Sequence, residues 1–176
     1  MRLFILLTGI LCVLATPAMA QLDEYTDPVY KRLGADDRLP IDDMLILARE
    51  GDGRAQYIVA DLYAKGRGGV ARNTKEAQRW FEEAAMHGYY PAFIRLAALA
   101  KRANNTPAAW QWYTLAIKSF KYNDPREKFA KAAREELIKE NKMTDEELSA
   151  ARASLREWET MRDQHIRDGD AAHNPS

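Results

Sequence analysis

Residues 55–88 read AQYIVADLYAKGRGGVARNTKEAQRWFEEAAMHG, and this stretch decides the fold. Apolar residues recur at three and four positions through a first helix expected over about Gly53 to Lys65, with no β-branched alternation to suggest a strand. The helix runs into Gly66-Arg67-Gly68-Gly69, where glycine permits a tight turn that other residues reach only with strain. Asn73, followed three residues later by Glu76, has the form of an N-cap with a reciprocal acid, and Gly88 closes the second helix. One helical hairpin is the expected unit.

Outward from this unit, the chain repeats it. A shift of 37 residues matches Ala48 with Ala85, Gly51 with Gly88, Ala55 with Ala92, Ala60 with Ala97 and Leu62 with Leu99. Beyond the turn the shift becomes 32, pairing Asn73-Thr74 with Asn105-Thr106, Ala77 with Ala109, Trp80 with Trp112 and Ala84 with Ala116. The change of shift falls in the turn, where a deletion disturbs no packed helix. Further helices open at Pro40, Pro91, Pro107 and Pro125, the last two behind Thr106 and Asp124 as caps; Gly51 ends the first. Thr144 and Glu147 repeat the capping-box pattern before a long final helix, whose Leu148, Ala151, Leu155 and Trp158 form one apolar stripe. Glu146, Arg152, Glu159 and Arg162 are assigned to its other faces. The expected class is all-α.

The first unit resembles the Sel-one-like repeat, a relative of the tetratricopeptide repeat, through Ala55, Val59, Ala60, Tyr63, Gly66, Gly68, Val70, Lys75, Ala77, Trp80, Ala84, Ala85 and Gly88. Ala60, where the family has glycine, and the extra Gly69 depart from the pattern; the second unit, Ala92 to about Phe120, lacks the glycine turn and has Ala100 in place of tyrosine. The resemblance covers residues 41–120 and implies an α/α solenoid of helical hairpins closed by a C-terminal capping helix, with the repeat domain over residues 40–167 and a disordered tail over 168–176. It also implies a concave face lined by the first helix of each unit, holding Arg54, Tyr57, Asp61 and Lys65, then Ile94, Ala98, Lys101 and Arg102. Mixed charge with one aromatic suits a peptide or protein segment, so the expected function is non-catalytic protein binding by a scaffold or adaptor. Two alternatives implied by the family stay open: an immunity protein that inhibits a secreted toxin, and a cell-wall or β-lactam hydrolase.

The chain ends and composition set the context. Met1-Arg2, the apolar run Leu3 to Ala15, and Ala18-Met19-Ala20 predict a signal peptide over residues 1–20, followed by a flexible lead-in over 21–39. A periplasmic or secreted protein with no integral membrane span after cleavage is expected. The chain carries 26 basic and 26 acidic residues; losing Arg2 leaves 25 against 26, a balance that argues against a nucleic-acid partner. Cys12 is the only cysteine and lies in the leader, so thiolate chemistry and disulfides are excluded from the mature chain. His87, His165 and His173 have no ligand-like spacing, and no metal or cofactor is expected. The glycine cluster follows a helix rather than a strand and is read as a turn, not a phosphate cradle. Asp42-Asp43, Glu82-Glu83 and Glu135-Glu136 are adjacent pairs that point apart on a helix, so they are read as solvated charges. Trp110 falls outside the repeat match and is a candidate contact residue, with core packing as the alternative. A monomer is expected.

Overall fold

The computed structural model describes residues 41–121, 123–141 and 143–173, all within a compact unit of Asp36–Ser176. These residues form seven helices and no strand: α1 (Ile41–Arg49), α2 (Gly53–Lys65), α3 (Thr74–Met86), α4 (Pro91–Arg102), α5 (Thr106–Ser119), α6 (Pro125–Asn141) and α7 (Asp145–His173). The chain is therefore all-α, as its periodicity predicts. The expected signal peptide at 1–20, the lead-in at 21–39 and Pro40 lie outside the described residues.

Local chemistry sets the helix ends. The Asp52 carboxylate accepts from the Ala55 amide at 2.8 Å and starts α2. Gly66, at φ 70°, ends it, and the amides of Gly66 and Arg67 both donate to the Leu62 carbonyl. Asn73 caps α3 by accepting from the amides of Lys75 and Glu76, but the reciprocal half of the expected box is replaced. The Asn73 amide donates to the Tyr63 carbonyl, and Glu76 pairs instead with Arg79 at 2.9 Å. At α5 the cap is Asn105, one residue before the expected Thr106; its side chain accepts from Ala108 at 3.1 Å, and Thr106 already belongs to the helix. Asparagine caps at least as well as threonine, which accounts for the offset. Asn104 sits at φ 55° in the preceding turn, supplying the left-handed residue that glycine provides in the first hairpin. The Thr144–Glu147 box is complete: Glu147 donates its amide to the Thr144 hydroxyl and accepts the Thr144 amide.

Each helix from α1 to α5 packs on its successor, and α7 returns to dock on α5. Residues matched by the internal shift are buried alike: Ala55 and Ala92, Ala60 and Ala97, Ala77 and Ala109, Ala84 and Ala116. Alanine at these places lets helix axes approach, while Phe81, Phe93, Leu96, Leu115 and Val59 fill the space between them. Trp112, expected in the repeat core, is half-buried, and its ring lies 6.0 Å from Phe93 and 5.7 Å from Trp158. The predicted stripe of α7 is the docking face: Ala151, Leu155 and Trp158 are buried and Leu148 is half-buried. Arg162 continues this stripe instead of facing away from it, with its guanidinium 5.4 Å from the Trp158 ring. Helix α7 extends to His173, past the expected boundary at 167. Gly169 costs a helix about 1 kcal/mol, less than is needed to end it against the flanking helix formers and the Gln164–Asp168 hydrogen bond of 2.7 Å.

Candidate binding face

Helices α2 and α4 carry the expected groove residues and α5 carries Trp110, and the structure divides these residues into two groups. Lys65, Lys101 and Arg102 are exposed, while Arg54 and Ala98 are half-buried. Tyr57, Asp61, Ile94 and Trp110 are buried, which corrects their assignment to an open surface.

Physical reasons differ among the four. Tyr57 presents its ring to Phe81 at 5.2 Å and to Tyr89 at 5.0 Å, so its large apolar body belongs to the packing between α2 and α3. Ile94 turns into the core, and the half-open positions on α4 are Pro91, Arg95, Ala98, Leu99 and Ala100. Ala98, Lys101 and Arg102 thus stay on the accessible side as expected, and Arg95 takes the place expected of Ile94. Trp110 packs in the core, its indole Nε1 has no hydrogen-bond partner among the described residues, and the Arg134 guanidinium lies 5.9 Å from its ring.

Asp61 is the electrostatic centre. Its Oδ2 accepts from Lys65 Nζ at 2.7 Å and its Oδ1 from Arg95 Nη2 at 2.6 Å. With the Asp61 side chain only 8% exposed and that of Arg95 20%, this ion pair ties α2 to α4 in partial shelter from water. Arg95 also lies 5.6 Å from the Phe81 ring. Sequence alignment misses Arg95 because the shift of 37 pairs it with Ile58, a buried residue. Its spacing of i+4 from Pro91 and i−3 from Ala98 is the signal that could have found it.

Further along, Lys101 donates to Glu136 Oε1 at 2.9 Å and links α4 to α6. Burial, and then the nearby Glu136 carboxylate, push the Tyr113 phenol above its ordinary value, so it stays a neutral hydrogen-bonding group. The face thus combines cations at the ends of α2 and α4 with an ion-paired acid between them.

The structure also joins two residues that their sequence spacing keeps apart. Nε2 of His165 lies 3.2 Å from Nε2 of His87. Among the described residues no group of three or more His, Cys, Asp and Glu side chains is placed to hold a metal ion, and no helix is long and apolar enough to cross a membrane. No family model, curated protein or solved structure matches the chain.

Proposed function

We propose that this chain is an α-solenoid of the Sel-one-like type that works in the cell envelope, or outside the cell, by binding a protein segment without catalysis. Support for the solenoid comes from the equal burial of the alanines matched by the internal shift, together with the helix-on-next-helix packing of α1 to α6. The signal-peptide pattern of residues 1–20 supports export.

The observation that carries the binding reading is the polar strip shared by α2 and α4, in which Lys65, Asp61 and Arg95 adjoin the half-buried Ala98 and the exposed Lys101 and Arg102. A surface of fixed cations beside small apolar positions recognises an extended acidic or amphipathic peptide by charge and shape. Tyr57 and Asp61 hold the platform together, and Lys65, Lys101 and Arg102 are the residues that reach the ligand.

Capture from an envelope extract by residues 21–176, run beside a folded Lys101→Glu, Arg102→Glu variant, tests the proposal. A protein held by the parent and lost by the variant supports it. Retention by both places the contact on another face. Hydrolysis of a β-lactam or of peptidoglycan by the purified parent would replace a binding function with an enzymatic one.

A further inference from the structure

We propose that His87 and His165 form a binding site for one divalent cation of the zinc, nickel and copper class, which fastens α7 to the C-terminal end of α3. The proposal is independent of the protein-binding face.

Distance is the first argument. Two imidazole nitrogens bound to one tetrahedral ion at about 2.0–2.1 Å stand about 3.3–3.4 Å apart. The two Nε2 atoms here are 3.2 Å apart, with ring centroids 4.8 Å apart and planes at 87°. The nitrogens already have the separation of neighbouring ligands, so a small rotation of each ring directs both lone pairs at one ion.

Protonation is the second. Nδ1 of His87 lies 3.0 Å from the Glu83 carbonyl oxygen. A carbonyl only accepts, so Nδ1 carries the hydrogen and Nε2 keeps its lone pair. A backbone carbonyl that fixes the ring and tautomer from behind is the usual outer partner of a metal-bound histidine. Without a metal, His165 Nε2–H donates to His87 Nε2; when a cation binds, His165 changes tautomer, its hydrogen passing through water from Nε2 to Nδ1, so that both rings stay neutral and both Nε2 lone pairs face the ion.

Access is the third. Both histidines are exposed, and Gly51 in the turn between α1 and α2 lies beside His87. A Cβ on Gly51 would stand 3.2 Å from His87 Nε2. The hydrogen in its place, together with φ 91°, leaves the side of Nε2 open. Two protein nitrogens leave two tetrahedral positions for water or an outside ligand.

Imidazole pairs select borderline ions such as Zn2+, Ni2+ and Cu2+ over Mg2+ and Ca2+, which prefer oxygen. The helix geometry explains how the pair forms across 78 residues. His165 stands three residues beyond Arg162 and seven beyond Trp158, so the stripe that docks α7 carries His165 onto His87.

The test is calorimetric titration of Zn2+ into tag-free residues 21–176 and into His87→Ala, His165→Ala and His173→Ala, with circular dichroism to establish that each variant is folded. One ion per parent chain is expected, with affinity lowered at least about tenfold by either of the first two substitutions and unchanged by the third. Zn2+ should also raise the melting temperature of the parent and not of His165→Ala. Absent or non-stoichiometric binding by the parent, equal binding by the folded His87 and His165 variants, or loss confined to His173→Ala would each overturn the proposal.

Discussion

Asp61 shows how one buried acid can serve both structure and surface. It faces Lys65 within its own helix and Arg95 across the helix pair, at 2.7 and 2.6 Å. Arg95 is the longer-range partner and the more sheltered one, with 20% of its side chain exposed against 35% for Lys65. The α2–α4 bond should therefore contribute more to stability than the exposed i,i+4 pair, which is worth about 0.3–0.5 kcal/mol. Asp61→Ala is expected to cost about 1.5–3 kcal/mol in urea unfolding, because a charged hydrogen bond is lost and Arg95 is left in partial shelter. A double-mutant cycle with Arg95→Ala should return a coupling of about 0.5–3 kcal/mol; strict additivity would mean that the contact is not formed in solution. The same residue marks a limit of sequence reading. The resemblance to tetratricopeptide-like repeats puts Asp61 in a groove, but only the packed structure reveals that its partner is Arg95 and that neighbouring Ile94 turns inward. One residue is about 100° on a helix, and a repeat alignment made on alanines does not fix a rotation that fine.

Helix boundaries are far more legible, since caps and turns are chemistry within four residues. Gly53 and Lys65 stand as the limits of α2, and Thr144 with Glu147 closes its box at 2.9 and 3.1 Å. Thr144→Ala removes both the hydroxyl acceptor and its packing against Glu147. We expect a loss of about 1 kcal/mol, read as a lower urea midpoint with an unchanged slope. The start of α6 is an acid-sensitive element. Arg126, bonded to Asp124 at 2.7–2.9 Å through side chain and backbone, holds the Asp124 carboxyl below its ordinary value. Lys131 does the same for Glu127 through a 2.6 Å contact, with the Asn123 amide assisting. A depressed folded pKa means that the stabilisation is complete above the unfolded value and is lost as pH falls through the folded one. Below about pH 4 the unfolded chain takes up these protons first, so the melting temperature should drop. Asp124→Asn should start from a lower melting temperature at neutral pH and lose less of it on acidification; an identical acid profile would remove Asp124 from the account.

At the scale of the molecule, the sequence makes the hairpin rhythm and the α7 stripe visible, yet it hides where that stripe lands. Contacts such as Gln111 to the Ser154 carbonyl, Lys118 to Glu159 and His87 to His165 span 43, 41 and 78 residues, and no local signal encodes them. What makes the landing specific is an aromatic knot: Trp158 lies 5.3 Å from Phe93 and 5.7 Å from Trp112, with both pairs edge-on, and Phe93 is wholly enclosed. Edge-to-face rings add orientation to hydrophobic burial, so α7 can seat in one register along α4 and α5. Trp158→Ala should accordingly destabilise the chain by about 3–5 kcal/mol, the usual cost of emptying a buried aromatic site. The pattern of loosening matters as much as its size. If successive hairpins stabilise one another mainly through their neighbours, amide hydrogen exchange in the variant should accelerate first in α7, α5 and α4 and least in α1, which lies farthest along the packing order. Equal acceleration across α1 to α7 would show instead that the helices open as one cooperative body, and the repeat units would then share one core rather than a chain of neighbouring ones.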